Sequence, residues 1–251
     1  MVKALHYDPS LKDRLPANSD NPLVLNRNFG KWNDYLAVDL KERPECSEDR
    51  YTRGKERELL KECQDHADYH NRPIHARNVA VLVHPFYLAL TEMDQVDSDV
   101  KREQAKEYLD NLGILLNSRR DRRSIQTVAL ETAHHYAAAT SLLLEHGLID
   151  RVVFTEYDRG KPLNSTDISD LSGRKIFMAG GYLGRCFRHA YNALNIVLPE
   201  SNILGIRDLI INSPRDSSTL FNASCWLDGM TDGRIVLLED FLAQTAKKQV
   251  A

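Results

Sequence analysis

A glycine-rich turn that leads into a cysteine is the part of this sequence best suited to chemistry. Residues 174–194 read RKIFMAGGYLGRCFRHAYNAL, which is an apolar run followed by glycines and then by Cys186 near the start of a predicted helix. The first turn of a helix offers unpaired N–H groups and the positive end of the helix dipole, and both lower the pKa of a thiol. Cys186 is therefore a candidate thiolate nucleophile.

The residues between this strand and Cys186 are candidates for ligand contacts. Glycine permits positive φ and lets a backbone approach a phosphate or an oxyanion closely, although a tight strand-to-helix turn needs glycines as well. The spacing fits neither the GxGxxG nor the GxxxxGK[ST] pattern, which argues against a dinucleotide site. An arginine here would suit a carboxylate or a phosphate on the ligand. The predicted ligand-binding residues of this turn are Gly180, Gly181, Tyr182, Gly184 and Arg185.

The elements that must position this turn alternate regularly from residue 78 onward. Predicted strands cover residues 78–83, 125–130, 151–156, 175–180, 202–211 and 234–239, and predicted helices cover about 97–117, 133–147, 183–195, 217–228 and 240–248. Continuous apolar strands that alternate with helices indicate a parallel sheet buried on both faces. We therefore predict an α/β fold for residues 76–251, a parallel-sheet three-layer sandwich of the Rossmann-like class.

Titratable residues follow several of these strands. His84 follows the first strand, Glu131 the second, Glu156 and Asp158 the third, and Asp240 the last. The carboxyl ends of parallel strands meet at one edge of a sheet, where open α/β sheets bind their ligands. We expect these residues to meet the Cys186 turn there, although polar residues also end the strands of any parallel sheet.

Residues 1–75 have a different texture and are predicted to form an N-terminal arm and helix. Four prolines, at positions 9, 16, 22 and 44, interrupt a polar segment, which favours an extended arm lying across the main domain. Residues 47–70 are helix-like, with Ser47 as the predicted N-cap. The low apolar content of this helix predicts a surface element or a subunit contact, so a homo-oligomer remains an open alternative.

The same helix holds a histidine-rich segment, CQDHADYHNRPIH. Cys63, His66 and His70 are spaced by three and four residues, which places them on one helix face where they could share a zinc ion. His75 or His84 would then add a fourth ligand. The segment lacks a paired CxxC or an HExxH signature, so we favour a polar helix face and predict neither a metal nor a cofactor.

The composition of the chain limits the kinds of partner and the cellular compartment that we expect. A formal net charge of -3, with 42% hydrophobic and 27% charged residues, gives no general attraction to nucleic acid or to anionic lipid. No apolar run approaches the roughly 18 residues of a membrane span, and the first residues lack the apolar core of a signal peptide. The four cysteines are widely scattered, unlike a disulfide framework. We expect a cytoplasmic protein with reduced thiols and a small-molecule ligand, with no nucleic-acid or membrane partner.

Residues 79–193 resemble the isochorismatase-like cysteine hydrolases. In that family a strand ends in glycine six positions before a nucleophilic cysteine that begins a helix, and Gly180 and Cys186 have this spacing. The segment VVFTEYDRGKPLNSTDISDLSGRKIFMAGGYLGRC also has the family's order of strand, polar loop, Thr-Asp and Leu stretch, strand and cysteine turn. The family ends its first strand in aspartate, where this chain has His84. It ends its third strand in lysine, where this chain has Thr155 and Glu156 and where Lys161 comes late.

The resemblance implies an isochorismatase-like sandwich and cysteine-dependent hydrolysis of an amide or related bond in a small molecule. Cys186 would be the nucleophile, residues 180–184 would supply backbone donors, and His84 or Glu156 would handle protons. Only the cysteine of the family's triad transfers to this chain. The alternative is therefore a catalytically degenerate small-molecule-binding or scaffold protein, and a second alternative is a metal-dependent hydrolase built on the histidine-rich segment.

Overall fold

The computed structural model describes residues 53–87, 99–118, 124–156, 160–212 and 233–246. Within them, six strands form one sheet in the order β3-β2-β1-β4-β5-β6, and every pairing is parallel. The predicted α/β class with a parallel sheet is thus confirmed. The strands are β1 (Asn78–Val83), β2 (Ile125–Glu131), β3 (Arg151–Phe154), β4 (Lys175–Ala179), β5 (Asn202–Ile206) and β6 (Ile235–Val236).

Helices and short helical turns connect the strands and pack against the sheet. The α-helices are α1 (Arg53–His70), α2 (Asp99–Ser118), α3 (Ala133–His135), α4 (Ser141–Glu145), α5 (Arg188–Val197) and α6 (Leu238–Ala246). A π-helical turn, Tyr136–Thr140, joins α3 to α4. The turn Leu183–Phe187 precedes α5, and its backbone leaves helical geometry at Arg185, with φ of -123° and ψ of -111°. Two 3₁₀ helices cover Ser165–Leu171 and Arg207–Leu209.

The centre of the core is β1, whose six residues are all buried. A strand covered on both faces needs an unbroken apolar run instead of an alternating one, which is why NVAVLV forms the middle of the sheet. The spatial order also reverses beside this strand. From β1 the chain proceeds outward to β2 and β3, and it then returns to place β4 on the other side of β1. Loops that leave β1 and β4 in opposite directions open a crevice at their carboxyl ends.

Helix α1 belongs to the same core as the sheet. Its residues Cys63 and Ala67 are fully buried, and the helix packs against α3, α4 and β3. The connection that follows α1 is fixed to the sheet by side chains. Asn71 exchanges two hydrogen bonds with the backbone of Val152, and Gln126 accepts hydrogen bonds from the backbone N–H groups of residues 75 and 76. The domain boundary at residue 75 stays a prediction, and Ser47 and the preceding arm lie outside the described residues.

Four predicted strands end earlier than expected. The predicted strand at 151–156 ends at Phe154 and the predicted strand at 175–180 ends at Ala179, and the other two differ more. The predicted strand at 202–211 ends at Ile206, and a 3₁₀ turn follows it; the predicted strand at 234–239 ends at Val236, and α6 begins at Leu238. Asp208 lies in the turn after β5, and its Oδ2 accepts a hydrogen bond of 2.9 Å from the backbone N–H of Leu238, where α6 begins. A carboxylate at this position satisfies an unpaired donor at the helix start. The predicted helix at 217–228 lies outside the described residues.

No helix in the part of the chain that the structure describes is long and apolar enough to cross a membrane.

Candidate functional site

Gly180 and Gly181 follow β4 and lie against the end of β1, beside the crevice. Both have left-handed backbones, with φ of 78° and 66°. A Cβ on Gly180 would lie 2.6 Å from the carbonyl oxygen of Val83, and one on Gly181 would lie 2.7 Å from Sγ of Cys186. Glycine is therefore required so that the end of β1, the end of β4 and the cysteine can approach one another. Their predicted ligand contacts stay a prediction.

His84 directly follows β1 and is held in an unusual backbone conformation. Its φ is 42°, in the left-handed region that non-glycine residues seldom adopt, while its N–H still donates to Leu130 of the neighbouring strand at 2.9 Å. Its ring Nε2 shares a hydrogen bond of 2.9 Å with Oγ1 of Thr155, the residue that follows β3. Burial lowers the pKa of His84 to about 4, against the opposing influence of the Glu131 carboxylate. The imidazole is accordingly neutral at pH 7.

Glu131 ends β2 and is fully buried. Its Oε1 accepts from the backbone N–H of Thr132 at 3.0 Å, and its Oε2 accepts from Oγ1 of Thr140 at 3.0 Å. Thr140 reaches the carboxylate from the π-helical turn Tyr136–Thr140, an element that is frequent at functional sites. Nδ1 of His135 lies 3.3 Å from Oε1 of Glu131 but outside hydrogen-bond geometry. This buried nitrogen has no hydrogen-bond partner among the described residues.

Cys186 is buried at the same edge of the sheet, in the turn Leu183–Phe187. Its Sγ accepts a hydrogen bond of 3.2 Å from the backbone N–H of Tyr182. Burial nevertheless raises the pKa of the thiol to about 11, because it outweighs the backbone N–H groups of residues 182, 186 and 187, which act in the opposite direction. The lowered pKa expected from the helix start is therefore wrong. The α-helix proper begins only at residue 188, and the thiol lies in the core ahead of it.

Tyr108 of α2 contacts the turn that follows His84, and it was not identified from the sequence. Its hydroxyl donates a hydrogen bond of 2.7 Å to the carbonyl of Pro85, which fixes the turn that follows His84. Burial raises the pKa of Tyr108 strongly. In the sequence it was one of several apolar positions on the buried face of α2, with nothing to distinguish it.

Two aromatic rings lie over this group. Tyr87 packs edge-on against His135 at 5.1 Å between ring centroids and edge-on against Tyr182 at 5.4 Å. Tyr182 is buried and Tyr87 is half-buried, so the tyrosine pair lies between the polar groups and the surface. The sequence predicted Tyr182 as a ligand contact but did not single out Tyr87.

Other predicted site residues have different surroundings. Glu156 pairs with Lys161, whose Nζ lies 3.4 Å from Oε1 of Glu156, and the backbone N–H of Glu156 donates to the Lys161 carbonyl. Gly184 and Arg185 are exposed, and Asp240 is exposed in the first turn of α6. Asp158 lies outside the described residues. Of the predicted set, His84 and Glu131 share the neighbour His135, whose ring centroid lies 6.1 Å from that of His84 and whose Nδ1 lies 3.3 Å from Oε1 of Glu131.

Neither a protein-family model nor a curated protein matches this chain.

Proposed function

We propose that this protein has an isochorismatase-like sandwich that binds a small polar molecule at the edge between β1 and β4 and does not hydrolyse it. The hydrogen bond between His84 and Thr155 carries the proposal. The resemblance requires an aspartate after the first strand and a lysine after the third. Here a neutral imidazole and a hydroxyl occupy these two strand ends and bond to each other. This pair provides neither the acidic partner nor the positive charge that a cysteine hydrolase of this kind uses.

The state of the thiol supports the same conclusion. With a pKa of about 11, Cys186 is protonated at neutral pH, and only roughly one molecule in ten thousand holds a thiolate. Lys161, the nearest lysine in sequence to the expected position, pairs with Glu156.

Binding at this edge is supported by features that a core alone does not need. A non-glycine residue with positive φ, a buried carboxylate and two buried histidines converge where the strand order reverses, and perturbed groups at such a point mark functional sites. The order 3-2-1-4-5-6 is that of doubly wound nucleotide-binding sheets, which supports the Rossmann-like form of the fold. Carboxylate acceptors and imidazole nitrogens suit a ligand with both donors and acceptors, such as a primary amide.

The test combines binding with turnover. Primary amides and the corresponding carboxylic acids are screened by thermal shift against the parent protein, Cys186→Ser and His84→Asn. Asparagine tolerates the left-handed backbone at position 84, and His189→Asn, at an exposed position of α5, is the matched control. We expect a compound that stabilises the parent, Cys186→Ser and His189→Asn equally but not His84→Asn, with no ammonia released. Cys186-dependent ammonia release would refute the proposal. Equal stabilisation of the parent and of His84→Asn by the compound would refute it as well.

A cysteine hydrolase is the second candidate, and the backbone donors around Sγ favour it. N–H groups aimed at sulfur can also stabilise an oxyanion formed beside it. In that reaction the sulfur attacks the amide carbon, the nitrogen leaves with a proton as ammonia, and water then cleaves the thioester. This candidate requires a thiolate near neutral pH. Ultraviolet titration of the parent minus Cys186→Ser measures it directly, and an apparent pKa below about 8 would favour the hydrolase.

A further inference from the structure

A second group of titratable residues lies where α1 packs against α4. His66 and His70 are one turn apart on α1, with ring centroids 4.7 Å apart, and Glu145 is the last residue of α4. Nε2 of His66 lies 3.2 Å from Oε1 of Glu145, and one ligand atom from each of the three residues falls within 4.8 Å of the others. None of the residues described at the edge between β1 and β4 belongs to this group.

These separations match those around a small metal ion. Ligand bonds of about 2.1 Å in a tetrahedron place neighbouring ligand atoms about 3.4 Å apart. The His66–Glu145 pair, at 3.2 Å, is close to this spacing, and the ligand atom of His70 lies within 4.8 Å of both.

The orientation of His66 provides an independent indication. Its Nδ1 shares a hydrogen bond of 2.6 Å with the hydroxyl of Tyr136, and this contact is buried. Ligating histidines in proteins have their second ring nitrogen held in this way, because the outer partner fixes the ring and leaves the other nitrogen toward the metal. Tyr136 thus presents Nε2 of His66 to the group that contains His70 and Glu145.

We propose that His66, His70 and Glu145 form a binding site for a divalent transition metal, with zinc as the best-matched ion. Two imidazoles and one carboxylate suit zinc, whereas magnesium and calcium prefer oxygen ligands throughout. Three protein ligands leave a fourth position for water. The site differs from the one considered from the sequence, because Sγ of Cys63 donates to the carbonyl of Ala133 at 3.5 Å and Glu145 takes the third position instead.

The site would join the helix of the N-terminal segment to the sandwich. A metal bound only by the folded protein stabilises it according to its concentration and affinity. Because α1 and α4 supply the ligands together, the ion would lock α1 onto the sheet. This effect does not depend on what binds at the edge between β1 and β4.

The experiment is zinc titration of the chelator-treated full-length protein, followed by calorimetry and thermal unfolding, with Co²⁺ absorption as a probe of coordination geometry. We expect one equivalent of zinc to bind and to raise the melting temperature, and Mg²⁺ to have no effect. His70→Ala, at a half-buried position, should abolish the site, and Tyr136→Phe should weaken affinity by about tenfold to a hundredfold. His189→Ala, at an exposed position of α5, is the control and should bind as the parent does.

Circular dichroism verifies that each variant is folded, and Glu145→Gln replaces any variant that is not. Failure of zinc to bind the parent would overturn the proposal. Equal zinc affinity in the parent and in a folded ligand variant would overturn it as well.

Discussion

At the scale of single residues, the decisive feature is that burial keeps His84 and Cys186 in their uncharged forms. His84 bonds to Thr155 and has its pKa lowered to about 4, and Cys186 has its pKa raised to about 11, both mainly through burial. Burial disfavours the charged form of each group, so imidazole and thiol are both uncharged at pH 7. Such a pair serves hydrogen bonding better than proton transfer.

The burial of His84 predicts a loss of stability in mild acid. Its folded-state pKa of about 4 lies below the ordinary value of 6.5, so the unfolded chain takes up a proton first as the pH falls. The contribution of His84 to the free energy of unfolding is complete above pH 6.5 and decreases as the pH falls toward 4. It amounts to about 3 kcal/mol. Urea unfolding at about pH 7 and about pH 4.5 should show a smaller pH effect in His84→Asn than in the parent. Equal pH effects in the two proteins would contradict a buried neutral His84.

At the scale of elements, side chains placed between strands determine where each strand begins. Asp150, which precedes β3, is buried, and its Oδ2 accepts a hydrogen bond of 2.7 Å from the backbone N–H of Thr127 in β2. The backbone N–H of Asp150 returns a bond of 2.9 Å to the carbonyl of Thr127. This pair continues the contact between β2 and β3 beyond the first paired residues of β3.

Replacement of Asp150 should therefore destabilise the edge of the sheet. Asp150→Ala leaves the buried N–H of Thr127 without its acceptor, and we expect a loss of about 2 kcal/mol in the free energy of unfolding. Asp150→Asn retains a carbonyl oxygen at the same position and should lose less. Chemical denaturation of both variants measures this order, and an equal loss in the two variants would show that the carboxylate charge, not the hydrogen bond, is what matters.

At the scale of the whole molecule, helix α1 and the sheet share one hydrophobic core. Cys63 and Ala67 of α1 belong to the same buried cluster as β1 and Phe241 of α6. Elements that bury their apolar faces against one another unfold together. We therefore expect the described part of the chain to unfold as one cooperative unit, with α1 as an integral layer.

This shared core predicts a single unfolding transition. Ala67→Glu places a charge at a fully buried position, so it should lower the midpoint of the whole transition. Glu62→Ala, at an exposed position of the same helix, is the control and should leave the midpoint nearly unchanged. Helical circular dichroism and tyrosine fluorescence followed in parallel would test this. An early transition confined to the helical signal would show that α1 unfolds by itself.

The sequence by itself determined the class of the fold and much of its element order. Strand β1 was predicted with its observed bounds, because an unbroken apolar run is a local signal of a strand covered on both faces. The start of α6 was predicted near residue 240 but lies at Leu238, whose backbone N–H bonds to Asp208, 30 residues away in the chain. The chemistry was decided only by tertiary structure. His84 meets Thr155 across 71 residues, and His66 meets Glu145 across the packing of two helices. Burial then shifts the pKa of Cys186 in the direction opposite to the one its position in a helix suggested, because desolvation depends on the whole core while the helix dipole is a local property.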